Sequence, residues 1–227
     1  MPAEHEVLND LNSDIVNLFR VLRTRGEELA RAVYLTPWAE EEYLSLERDW
    51  RDGDEVEWAR KYLVRCWQAH GTLQGKTTNG WRHNGLHGRA FPARREWAQL
   101  PERLLLVADR LRQAEIRQRP ALEIIAYYNS PDVLLYIDPP YIRSTRRSSS
   151  GHYTHDMTLD DHRRLLEALR EHQGMIVLSG YSHTLYDAAL SDWQRVEIPS
   201  VTEQGQHHPE VLWINARARQ HQQLPLF

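Results

Sequence analysis

The sequence predicts an α/β protein built on a largely parallel, doubly wound sheet, and three features predict it. Apolar runs of strand length alternate with helical patterns from Ala114 to the end of the chain, the order from which crossover-connected sheets are built. One run, Val133-Leu134-Leu135-Tyr136-Ile137, is apolar throughout, as expected of a strand buried on both faces. Thr158-Leu-Asp-Asp161 reads as a capping box opening an amphipathic helix over 159–172.

Taken in order, Glu6-Val7-Leu8 predicts a short strand ending at Asn9-Asp10. Ile15, Leu18, Phe19 and Leu22 then recur at helical spacing. Asn12 or Ser13 is placed to cap that helix, because a short polar side chain accepts an orphan backbone N–H. Further helices are expected near 27–34, 40–50 and 54–69, divided by Thr36-Pro37 and Asp52-Gly53-Asp54. Residues 71–100 read as a functional loop region, in which Gly71, Gly75, Gly80, Gly85, Gly88 and Pro92 break any regular pattern. Trp38, Trp50, Trp58, Trp67, Trp81 and Trp97 fall between residues 38 and 97, and this stretch is therefore expected to have its own small core. Pro101 is read as the first residue of a helix carrying Leu104, Leu105, Ala108 and Leu111. A strand at 114–116, a helix at 120–128 and the strand at 133–137 come next. The 159–172 helix stops at Gly174, and strands follow at 175–179, 193–198 and 210–215.

Composition bounds the function. At 227 residues with 41% hydrophobic and 26% charged side chains, the chain can bury a substantial core. No apolar run is long enough to cross a bilayer. Met1-Pro-Ala-Glu-His-Glu6 has neither a basic nor an apolar region, so no secretory signal is predicted and a cytoplasmic location is expected. The single cysteine, Cys66, excludes an intrachain disulfide and a multi-thiolate metal site, and it reads as a small core residue of its helix.

Charge is unevenly spread: residues 1–60 carry 15 acidic and 7 basic side chains, whereas 76–119 carry 10 basic and 4 acidic. The second segment suits a polyanion. All basic residues except Lys61 and Lys76 are arginine, the better shape for bidentate phosphate and guanine contacts; a codon bias accounts for the same excess. His83 with His87, or His152 with His155 and His162, raise a metal-dependent hydrolase as another reading. These histidines are dispersed in polar sequence without a His-Glu-x-x-His pattern, and no metal is predicted.

The most specific signal is Asp138-Pro139-Pro140-Tyr141, placed where a strand ends. Two consecutive prolines remove two N–H donors and fix two φ angles, so the Pro139 carbonyl can be held toward a site. Asp138 and that carbonyl make an acceptor pair for an exocyclic amino group, able to orient its lone pair and stabilise charge growing on the nitrogen. Tyr141 adds a flat face for a planar base. The plainer reading is a strand that simply ends in a turn.

With this tetrapeptide in place, the chain resembles the phage-type DNA adenine methyltransferases. The resemblance runs through Glu6-Val-Leu-Asn-Asp-Leu-Asn12, Trp67-Gln-Ala-His-Gly71, Gly80-Trp-Arg-His83, Leu100-Pro-Glu-Arg-Leu104 and Pro120-Ala-Leu-Glu-Ile124. It continues through Tyr136-Ile-Asp-Pro-Pro-Tyr141, Val177-Leu-Ser-Gly-Tyr181 and Glu210-Val-Leu-Trp-Ile-Asn215. It implies a Rossmann-like methyltransferase core over 1–19 and 113–227, with a mainly helical target-recognition insertion over 20–112. It also implies S-adenosylmethionine as methyl donor, double-stranded DNA as partner, and a target adenine turned out of the duplex because its N6 is inaccessible within the stack. Asp138, Pro139, Pro140 and Tyr141 would then be the catalytic residues. Asp10, Leu11, Pro120, Ala121 and Asp138 would face the donor, although Asp10 also fits an ordinary turn. Candidate DNA contacts are Trp81, Arg82, Arg89, Arg94 and Arg95, with Arg143, Arg146 and Arg147 placed to grip phosphates.

The family pattern opens with a Pro-Gly-Gly-Lys-like segment and a Glu-Pro-Phe-x-Gly-like strand end, which have no counterpart ahead of Glu6. The sheet is therefore expected to be incomplete on its N-terminal side, with the donor site lacking a lost segment or one supplied by a second polypeptide. A catalytically dead DNA-binding remnant is the alternative.

Overall fold

A computed structural model describes residues 3–47, 51–69, 80–82, 92–146, 153–199 and 209–220. The chain is mixed α/β and divides into two compact units, Met1–Arg119 and Pro120–Phe227. None of the described helices is long and apolar enough to cross a membrane.

In the first unit, β1 (Glu6–Asn9) pairs in parallel with β2 (Ala114–Arg117), setting Glu6 opposite Ala114 and Asn9 opposite Arg117. Between them lie α1 (Ser13–Tyr34), α2 (Glu40–Leu44) with a 3-10 turn at Ser45–Glu47, α3 (Glu55–Gln68) and α4 (Pro92–Leu111). Asn12 caps α1, its side chain accepting the Asp14 N–H at 2.9 Å. The two helices expected at 15–22 and 27–34 are one, broken only at Arg25, where φ is -139°. The neighbouring Gly26 admits α4: a Cβ there would lie 2.9 Å from the Ala108 Cβ.

Two expectations are corrected here. Helix α4 begins at Pro92, not Pro101, so 93–100 is helix and not loop. Ala93, Trp97, Leu100, Leu104 and Leu111 are all buried, and this uninterrupted apolar stripe carries the helix through a proline that removes one hydrogen bond. Cys66 is exposed and is not a core residue, whereas Val56, Ala59, Leu63 and Val64 of α3 are buried.

Trp97 is in the core, and Trp38, Trp58, Trp67 and Trp81 pack against it. The indole N–H of Trp97 donates to the Thr36 carbonyl at 3.1 Å and that of Trp38 to the Arg82 carbonyl at 3.0 Å. Apolar bodies and satisfied polar tips together make these rings good fillers.

The second unit comprises α5 (Ala121–Tyr127), β3 (Leu134–Ile137), α6 (Leu159–Glu171), β4 (Met175–Tyr181), α7 (Thr184–Ala189), β5 (Gln194–Ile198), β6 (Glu210–Ile214) and α8 (Ala216–Gln220). Its sheet runs β3-β4-β6-β5. Strands β3, β4 and β5 run in one direction, and β6, inserted between β4 and β5, runs antiparallel to both neighbours, the one reversed strand in this sheet. The sequence places no helical pattern between β5 and β6, and a parallel return needs a crossover that this connection lacks. Strand β3 is an edge strand, with Leu135 buried but Leu134 60% and Tyr136 64% exposed, so it is not covered on both faces.

Helix α6 starts in the expected capping box: the Asp161 N–H donates to Thr158 Oγ1 and the Thr158 N–H to Asp161 Oδ2. Its Leu165, Leu166 and Leu169 pack with Leu135, Ile176, Leu178, Val211 and Trp213 in the second core.

Candidate active site

The parallel register that sets Ile137 of β3 opposite Leu178 of β4 carries one residue further to bring Asp138 beside Ser179. The Ser179 hydroxyl donates to Asp138 Oδ1 at 2.7 Å. Ser179 is buried and Asp138 exposed, so one carboxylate oxygen is anchored from below while the group faces outward. Pro139 is buried and Pro140 half-buried, fixing the backbone between the carboxylate and Tyr141.

The half-buried Tyr141 ring meets Tyr181 edge-on, centroids 4.6 Å apart and planes at 73°. Burial pushes its phenol well above the ordinary tyrosine range, and the negative charges of Asp138 and Glu210 add to the shift. Tyr141 is therefore a neutral aromatic surface at physiological pH.

The chain then turns back on itself. The Arg146 Nε donates to the Tyr141 carbonyl at 2.5 Å, and its Nη2 to Asp156 Oδ1 at 2.6 Å. The Arg143 Nε donates to Asp156 Oδ2 at 2.7 Å. The Arg146 guanidinium also sits 4.5 Å above the Tyr153 ring, a cation–π distance. Burial opposes charge on Asp156, but Arg146, Arg143 and the Met157 N–H outweigh it and hold the carboxyl at about 2.

Asp10 closes the carboxyl end of β1. Its N–H donates to the Arg117 carbonyl, and its Oδ1 accepts the Asn12 N–H at 2.7 Å, the local bond of an Asx turn. The Leu11 side chain is exposed and its carbonyl accepts from Gln118 Nε2. In the other unit, Pro120 and Ala121 form the exposed start of α5. A half-buried carboxylate at a strand end is a suitable acceptor for sugar hydroxyls.

Of the candidate DNA contacts, Trp81 packs on the first core with its indole N–H on Gln68 Oε1 at 3.3 Å. Arg82 is half-buried, its N–H donating to the Gln68 carbonyl at 2.7 Å. Arg94 and Arg95 are exposed at the start of α4, Arg143 and Arg146 are on Asp156, and Arg89 and Arg147 lie outside the described residues.

Among the described residues no group of three His, Cys, Asp or Glu side chains could hold a metal ion. His162 is fully buried, with Nδ1 2.9 Å from the Tyr186 hydroxyl, while His83, His87 and His152 lie outside the described residues. The sequence reading assigned no role to Ser179, Tyr181, Tyr153 or Asp156. Ser179 and Tyr181 stood in a matched segment, Val177-Leu-Ser-Gly-Tyr181, but only strand pairing identifies which residue faces Asp138.

The family model for the D12 class of N6 adenine-specific DNA methyltransferases matches residues 2–205. No curated protein matches the chain.

Proposed function

The chain belongs to the D12 class of N6 adenine-specific DNA methyltransferases, and we propose that it transfers a methyl group from S-adenosylmethionine to the N6 of adenine in DNA at Asp138-Pro139-Pro140-Tyr141. The observation that carries this reading is the Ser179–Asp138 hydrogen bond of 2.7 Å at the paired ends of β3 and β4, beside the ring of Tyr141.

An amino group bound here donates its two N–H bonds to Asp138 and to the Pro139 carbonyl, which turns the nitrogen lone pair toward the incoming carbon. As the N–C bond forms and the donor's C–S bond breaks, positive charge grows on N6. The fixed carboxylate opposes that charge without reorganising. The surplus N6 proton then leaves to solvent. Tyr141, uncharged and braced by Tyr181, stacks on an adenine extruded from the duplex. The donor, when bound, supplies an electrophilic methyl group. Pro120 and Ala121, in the same unit as the tetrapeptide, are proposed to face it.

We assign target recognition to the helical part over 20–112, within a Rossmann-like core formed by 1–19 and 113–227. Arg94 and Arg95, exposed on α4, are the described residues there best placed to meet phosphates.

Label transfer from methyl-labelled donor to unmethylated duplex DNA tests the reading. Asp138→Asn is expected to lower the rate on the order of 10²–10³-fold with an unchanged circular dichroism spectrum. Equal rates for the two proteins would remove Asp138 from the chemistry. Salt-sensitive DNA binding without any transfer would leave only a DNA-binding module.

A further inference from the structure

We propose that Arg146 and Asp156 form a clamp that sets the position of Tyr141, which makes Arg146 a positioning residue of the base pocket and not a phosphate contact. Every nitrogen of the Arg146 guanidinium is engaged within the second unit. Nε holds the Tyr141 carbonyl, while Nη1 and Nη2 reach the two oxygens of Asp156 at 3.3 and 2.6 Å. The side chain is only 8% exposed and Asp156 only 14%, so a phosphate would have to displace a nearly covered bidentate carboxylate.

The remaining contacts point the same way. Asp156 is fixed by a third cationic bond from Arg143 and by the Met157 N–H. The Tyr153 ring lies against the guanidinium, its centroid 4.5 Å away. Arg146 thus grips the main chain of Tyr141, while Tyr181 meets its ring edge-on from β4. The intervening residues form one 3-10 turn, Arg143–Thr145, in which the Thr145 N–H donates to the Ile142 carbonyl. With two prolines before it and this turn after it, Tyr141 has its backbone restrained on both sides.

The functional half of this inference rests on the proposed adenine site; the structural half does not. Hydrogen exchange on the full chain tests the structural half. Arg146→Met is expected to speed exchange of the Thr145 and Arg146 amides about tenfold or more, as for a locally opened segment, with β4 and β6 amides unchanged. Arg146→Lys keeps the charge but loses the fork and is expected to behave in the same direction, which covers the case of a poorly folding Arg146→Met. Unchanged exchange at these amides in the folded variants would overturn the clamp.

Steady-state kinetics and salt titrations on unmethylated duplex DNA test the functional half. The clamp predicts a kcat reduced about tenfold, with KM for DNA and the salt slope of DNA binding unchanged. A phosphate contact predicts a raised KM and a slope smaller by about one, a result that would overturn the proposal. If the unaltered chain transfers no methyl group, the adenine reading fails, and the exchange experiment still decides the clamp.

Discussion

A carboxylate that must present one oxygen to an amino group needs its other oxygen held, and the Ser179 hydroxyl, 2.7 Å from Asp138 Oδ1, holds it. Ser179→Ala is expected to reduce the methyl-transfer rate about tenfold through loss of orientation. Its stability cost, near 1 kcal/mol as for one hydrogen bond, would appear as a small shift in the urea midpoint. Titratable residues of the same unit set its response to acid. His162 is fully buried, and burial lowers its pKa. His172 is lowered likewise by burial; its Nδ1 accepts the Gly174 N–H and its Nε2 faces the Tyr128 carbonyl, a pattern only the neutral ring satisfies. Unfolding restores both to about 6.5, so the unfolded chain binds the extra protons and stability falls as pH drops below that value. Asp156 has the depressed pKa of an ion-paired carboxylate, about 2. Its contribution is complete above about pH 4 and disappears as pH falls toward 2. Urea midpoints from pH 8 to 3 should decline in two stages, and His162→Gln should weaken the first.

At the scale of elements, two glycines are retained for space and not for left-handed backbone. A Cβ on Gly174 would lie 2.5 Å from the Val133 carbonyl oxygen and 2.7 Å from that of Ser130. Both are backbone atoms that cannot swing aside. Gly174→Ala should therefore cost roughly 1–3 kcal/mol, in the range of overpacked sites, despite leaving the helix end unchanged. Gly26→Ala meets the rigid Ala108 Cβ at 2.9 Å. It is expected to lower the urea midpoint, where helix propensity alone predicts a gain of about 1 kcal/mol. Ala108→Gly in the same chain should restore part of the loss, as a double-mutant cycle would show. These contacts are invisible in the sequence, since they join residues far apart along the chain. Local signals were legible: Asn12 caps α1 and Thr158 with Asp161 makes the capping box. The start of α4 was misread because Pro101 is a strong local signal, whereas the stripe from Ala93 to Leu111 that overrides it is a tertiary one.

Across the whole molecule, two apolar cores support two α/β units, and the family match extends over both. The tetrapeptide could be found in the sequence because Asp-Pro-Pro-Tyr is chemically unusual at the end of an apolar run. Its partners could not, because Ser179 lies 41 residues away and is brought near only by the register of β3 and β4. The direction of β6 was readable in part, since no helical pattern precedes it. The exposed face of β3 was not, because an apolar run does not disclose whether a second layer covers it. The central claim is that Asp138, held by Ser179 beside Tyr141, directs a methyl group to the amino nitrogen of adenine. It is tested most directly by nucleoside mass spectrometry of unmethylated duplex DNA incubated with the full chain and S-adenosylmethionine. N6-methyladenine formed by the unaltered chain and lost in Asp138→Asn is the predicted result. Methylcytosine, or equal N6-methyladenine from both proteins, would contradict it.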